Sequence, residues 1–494
     1  MRPRLFVSAA AAFSAALASA ADPLPLAAPP AATAPALPPI PSVGPSVGPP
    51  ALPAAPTAPR FLPTAQPEEK GPKKLPVVPP PRTPGETPPP TADAPIPMTS
   101  EPLASVPMTD APVMPRDRSL HDDHLGPWNA VWVRGGYNYL WIKDAPTAPP
   151  LLATGPGSGT NRILLGGTTT NYSGFSGASI DAGIWLNERH TFGLAVGGFM
   201  AEKRSTVSSL ASDPLGSPGL VRPFFNAQIG GLDANDSFLV SAPGRYAGAL
   251  AVESGARIDG FEINGLVNVV NTPSWTRTFV AGFRYFSLDE YTTIYQVTRG
   301  LNGNTIPFFG QQNPGVAGVA ITDRVRTRNQ FYGTQMGGDA EYRVGPMFLD
   351  FGLKAALGPV HQVTEVSGQT VVPNGAGGPG GILAVGAIPN GNIGRSTSNY
   401  FAVLADANAL LGVQISSNMR LGFGYQFLYL NTVVRPASQI STTIDPRLVP
   451  TAASFGSRAS SSTLLGGAGT PPLTLGDRED FFVHGLRFLF EVQY

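Results

Sequence analysis

From about Trp128 onward, apolar residues recur at every second position. Met347, Leu349, Phe351, Leu353, Ala355 and Leu357 are apolar, while Asp350, Gly352, Lys354 and Gly358 between and beside them are small or charged. Val403, Ala405, Ala407, Ala409, Leu411 and Val413 alternate in the same way with Asp406, Asn408, Gly412 and Gln414. Leu421, Phe423, Tyr425 and Phe427 repeat the pattern against Arg420, Gly422, Gly424 and Gln426. Successive side chains of a strand point to opposite faces, so period two predicts strands with one apolar face. About ten such segments occur, near residues 130–142, 175–186, 191–203, 257–269, 276–288, 328–343, 347–360, 399–415, 418–432 and 482–494.

The links between these segments alternate strictly in length. Those at 187–190, 272–275, 344–346 and 416–418 are turn-sized. Those at 144–173, 205–250, 290–325, 362–396 and 434–479 are long and rich in Gly, Pro and Ser. Short periplasmic turns and long outer loops are the asymmetry of outer-membrane barrels. A β-sandwich also alternates, but its strands are usually about 5–6 residues, whereas these run to about 11–15 and suffice to cross a bilayer at about 45°. Aromatic residues gather at segment ends, as an interfacial girdle requires: Tyr137, Tyr139, Trp141, Tyr285, Tyr429, Phe488, Phe490 and Tyr494. The predicted fold is all-β, an antiparallel transmembrane β-barrel of about 10 strands. Twelve or more would follow if Ile163–Leu165 and Phe238–Val240 were further staves.

Composition extends the picture. The 494 residues include no Cys, which removes disulfides, thiolate metal sites and a cysteine nucleophile from consideration. Lys+Arg and Asp+Glu are equal at 33 each, and this balance argues against a nucleic-acid partner. Arg2 and Arg4, the apolar run Leu5–Leu17 and the small triplet Ala18-Ser19-Ala20 form a signal-peptide pattern over residues 1–20. Between Ala21 and Leu120 lie 31 of the 54 prolines, with very few aromatics. Such a chain cannot bury enough apolar surface to offset its entropy, so residues 21–127 are expected to form a disordered periplasmic tether. A periplasmic or cell-wall component is its expected partner, and residues 128–494 form the barrel. Export past the inner membrane, outer-membrane lipid around the strands and assembly machinery acting on the strand that ends at Tyr494 all follow from this reading.

Several blocks then resemble a known family: WVRGGYNYLWIKDAP from Trp132, GFSGASIDAGIWL from Gly174, VAGFRYFSLDE from Val280 and DRVRTRNQFYGTQMGG from Asp323. NIGRSTSNYFAV from Asn392, GYQFLYLNTVVRPASQI from Gly424 and DFFVHGLRFLFEVQY from Asp480 continue the series. In this order they resemble the Putative beta-barrel porin family seven over about Trp132 to Tyr494. The resemblance implies an outer-membrane barrel and brings no catalytic residues with it.

Chemistry-bearing motifs are few. Gly44–Gly48 fits G-x-S-x-G, but it lies in the proline-rich stretch without a strand–turn–helix context. His121-Asp122-Asp123-His124 carries ligand-type side chains on a short polar run, which is no convergent metal site. His190, His361 and His484 stand apart. No enzyme, cofactor or metal is expected. The polar face of the strands is more informative, carrying Arg134, Asp181, Glu262, Arg284, Asp339, Glu341, Asp350, Lys354, Asp406, Arg420 and Arg487. Charges kept out of lipid face the lumen, either lining a polar conduit or pairing into a filling. In a barrel this narrow, filling is the favoured expectation. Arg324, Arg326 and Arg328 share the other face, just beyond the membrane segment, and are candidates for lipid phosphate. The expected function is a porin-like outer-membrane barrel with a structural or surface role, or at most narrow passive transport. An open diffusion porin is the alternative, and a barrel enzyme the remote one.

Overall fold

The computed structural model describes residues 130–146, 148–155, 162–227, 235–373, 375–386, 391–456 and 476–494. The signal segment 1–20, the stretch 21–127, the Gly44–Gly48 motif and the His121–His124 run lie outside the described residues.

Ten strands form the wall: β1 (Val131–Ile142), β2 (Phe175–Trp185), β3 (Phe192–Ala201), β4 (Tyr246–Asn271), β5 (Trp275–Gly300), β6 (Gly318–Val344), β7 (Met347–Val371), β8 (Gly394–Ser416), β9 (Met419–Val434) and β10 (Arg478–Gln493). Each pairs antiparallel with the next. β10 returns to β1 in continuous register from Trp132↔Gln493 to Ile142↔Val483. The sheet therefore closes into a barrel without an edge, as a membrane span demands. Its outward positions carry an apolar belt, including Phe283, Met336, Leu353, Leu411, Phe423 and Phe488.

The middle strands are far longer than their alternating segments. β4 and β5 have 26 residues each, β6 has 27 and β7 has 25. At a rise of about 3.4 Å and a tilt of about 45°, 26 residues rise about 60 Å, twice the hydrocarbon thickness. Much of what reads as loop at 205–250, 290–325 and 362–396 is therefore strand standing clear of the lipid. The reason is physical. Beyond the bilayer the outer face no longer needs to be apolar, so the alternation fades although the strand continues. Arg204–Ala211 extends this wall by pairing with the outer half of β4.

The strands Ile163–Leu165 and Asn235–Ser241 exist but are not staves. They belong to a five-stranded sheet with Leu152–Thr154, Leu220–Asn226 and Thr443–Ile444. That sheet packs inside the outer half of the barrel. Leu152, Leu220, Phe224 and Val240 share one apolar core with the inward-facing Leu250, Ile294, Ile321, Val325 and Val366 of the wall.

Candidate functional site

The candidate site is the lumen, and it is built in three layers. At the turn side, Arg134 of β1 donates to Glu491 of β10 at 2.5 Å. Arg420 of β9 reaches Glu341 of β6 at 3.0 Å, and Arg343 also donates to Glu341. Asp350 and Asp339 face the same space. Above this, Arg284 of β5 binds Glu262 of β4 and crosses to Asp406 of β8 at 2.8 Å. Lys354 of β7 crosses to Glu262 at 2.8 Å, Gln335 donates to Glu262 at 3.0 Å, and Arg487 of β10 pairs with Asp181 of β2. β5 and β8 are three staves apart, as are β4 and β7, and β6 and β9. These pairs are thus chords across the lumen. Glycines make room for them: a methyl group at Gly197 would overlap the Asp181 carboxylate, and one at Gly352 would overlap Asn408 and Asp339.

The cavity left among these side chains is about 80 Å³, lined by Ser179, Asp181, Glu262, Arg284, Lys354, Asp406 and Arg487 among others. It has room for a few waters but is well below the roughly 300 Å³ of a small-molecule site.

The second layer is apolar, and the polar-lumen expectation fails there. Leu140, Phe175, Ala201, Ile258, Phe286, Phe331, Val360, Leu404, Leu430 and Phe481 are buried together, one from each of the ten strands in turn. Phe286 and Phe481 meet with ring centroids 6.2 Å apart, although β5 and β10 stand on opposite sides of the ring. Phe199 of β3 joins Phe286 at 6.4 Å. Apolar side chains therefore span the barrel from wall to wall. The sequence carried a signal for this, since Phe286 and Leu288 have the inward parity of Arg284.

The third layer is the packed interior of the outer half, pinned by two buried charge clusters that periodicity does not reveal. Asp323 of β6 accepts Arg222 at 2.8 Å through one oxygen. Its other oxygen accepts the backbone N–H groups of Ile382, Leu383 and Ala384 at 2.8–3.0 Å. Glu290 of β5 accepts Arg435 through both oxygens, at 2.9 and 2.7 Å. Burial opposes the charge on Arg435, yet Glu290 raises its pKa above the ordinary value. Burial and then the Glu290 charge raise the Tyr172 phenol likewise.

On the outside, Arg324, Arg326 and Arg328 share one face of β6 above the apolar belt. Arg326 and Arg328 both bind Asp289 of β5. His361 contacts Asn399, His484 contacts Tyr425, and His190 stacks on Trp185, so the described histidines do not converge.

A family profile described as Putative beta barrel porin-7 matches residues 132–494. Among curated proteins no relative matches. The solved structure of the outer membrane protease OmpT from Escherichia coli is similar at 8% identity and a TM-score of 0.36, covering 74% of this chain and 98% of that one. A TodX deltaS2S3 mutant, a monoaromatic hydrocarbon channel, is similar at 8% identity and 0.21, covering 75% and 92%. The Ralstonia pickettii toluene transporter TbuX is similar at 6% identity and 0.18, covering 74% and 90%. None of these likenesses carries a function across.

Proposed function

The chain belongs to the Putative beta barrel porin-7 family of outer-membrane β-barrels, and on that premise we propose that it works as a closed barrel, a structural or surface element and not a diffusion pore. The observation that carries this reading is the apolar layer to which every strand contributes, with Phe286 touching Phe481 across the full width of the ring. A solute would have to displace packed side chains there, and close-packed interiors yield only at considerable cost. The charge chords beneath support the same reading, because each carboxylate they use is already engaged by a cation. The tether of residues 21–127 would give the closed barrel a periplasmic attachment.

Liposome swelling tests this. Vesicles holding the full chain should swell in isosmotic arabinose or glycine no faster than protein-free vesicles. Swelling at the rate given by an open porin would overturn the proposal.

A further inference from the structure

Outward-facing side chains change character abruptly at the outer rim of the belt. Met200, Phe283 and Tyr332 are exposed apolar or aromatic groups, and Tyr285 and Tyr332 pair with ring centroids 5.2 Å apart. The outward positions above them are charged. Asp289 stands four residues beyond Tyr285 on the same face, about 10 Å higher at the usual rise and tilt, within reach of lipid phosphates. Here Lys203 Nζ lies 4.5 Å from the Tyr291 ring centre and the Arg324 guanidinium 5.4 Å from it. The ring is held by the bond from its hydroxyl to Glu253 at 2.6 Å. Asp289 aligns Arg326 and Arg328 beside it, the former through both carboxylate oxygens. The neighbouring pairs Arg204–Glu202, Arg257–Asp259 and Arg395–Glu365 are internally neutral.

Among the described residues, Lys203 and Arg324 make no ion pair. They share an aromatic ring instead, an arrangement that spaces two cations and leaves their N–H groups open. Arg326 and Arg328 share a single carboxylate, so four cations face the membrane edge against Asp289 and Glu253. Such a cluster suits an anion with several acceptor oxygens, and its height and outward direction place it against the bilayer and away from the loops. We infer that Lys203, Arg324, Arg326 and Arg328 bind phosphorylated lipid of the outer leaflet, with Tyr291 as the platform on which the two unpaired cations rest. The site is independent of whether the lumen is closed.

The test uses full-length protein in phosphatidylcholine vesicles doped with lipid A, extracted into mild detergent, with native mass spectrometry counting lipid A retained per barrel. The wild type should retain lipid A preferentially and should not retain its dephosphorylated form. Lys203→Gln with Arg324→Gln should lower retention about thirtyfold, the effect of removing two surface cations. Asp289→Asn, which frees Arg326 and Arg328, should raise it. Heat-modifiable gel migration reports that each variant is folded. Unchanged retention in the folded double variant overturns the inference. So does equal retention of the dephosphorylated lipid, and so does displacement of lipid A by inorganic phosphate, which would mark a site for the free anion.

Discussion

Arg435 and Glu290 form a two-pronged ion pair in which neither side chain has any exposure to solvent. The guanidinium Nη1 donates to the carbonyls of Lys143 and Asp144, at 3.1 and 2.7 Å. One residue at the end of β9 thereby ties the chain leaving that strand to β5, across the ring, and to the chain leaving β1. Losing one partner leaves a buried charge unpaired, which typically costs about 3–5 kcal/mol. Glu290→Gln should lower the guanidinium unfolding midpoint of the folded barrel accordingly and open segment 434–456 to protease. The double variant Glu290→Leu with Arg435→Met should be less destabilised than Glu290→Gln.

The ring closes only through β10, which pairs with β9 on one side and β1 on the other. Deleting residues 482–494 leaves two open edges facing lipid, which a membrane does not tolerate. The truncated chain should fail to insert, run as unfolded on unheated gels and be digested completely. Normal insertion would show that another segment can seal the wall.

Close packing under the charge chords makes a third prediction. Gly197→Val places methyl groups where the Asp181 carboxylate lies and forces the Arg487 pair apart. Overpacking typically costs about 1–3 kcal/mol, so the denaturant midpoint should fall. Val196→Ala, on the lipid side of the same strand, should change it little.

The number of staves was legible because lipid imposes period two wherever it touches the wall. Met347 to Leu357 and Leu421 to Phe427 show that constraint directly. It ends where the lipid ends. The outer halves of β4 to β7 read as loop because Asp289, Arg324, Arg326 and Arg328 face outward there, while Ile294, Ile321 and Val325 face inward. Arg134, Arg284, Asp406 and Arg420 stand out in sequence because they are charges on the polar positions of an apolar alternation. Glu491 has the same setting, with the inward parity of Arg487. Arg222, Asp323, Glu290 and Arg435 carry no such mark. Each sits in a stretch without period, and only the tertiary fold brings it to its partner.

Tyr291 supplies a pH test of the outer patch. Burial, and then the bond to Glu253, push its phenol from 10.0 up to about 12. The raised value favours the neutral phenol in the folded state, so its contribution to stability is fully present below pH 10. It is lost as pH rises through about 12, because the unfolded chain ionises first. Tyr291→Phe should remove this part of the alkaline loss of stability between pH 10 and 12, measured by thermal unfolding. Glu253→Gln should bring the phenol back toward its ordinary value in an ultraviolet titration.

Closure of the lumen is measured most directly by single-channel recording in a planar bilayer, with the purified full chain and with the form lacking residues 21–120. The packed layer around Phe286 and Phe481 should give a silent membrane from both, with no stable steps across the voltage range that leaves the bilayer intact. Large, long-lived conductance steps from either protein would contradict a closed barrel and make Arg284, Asp350 and Arg420 the first residues to test for ion selectivity.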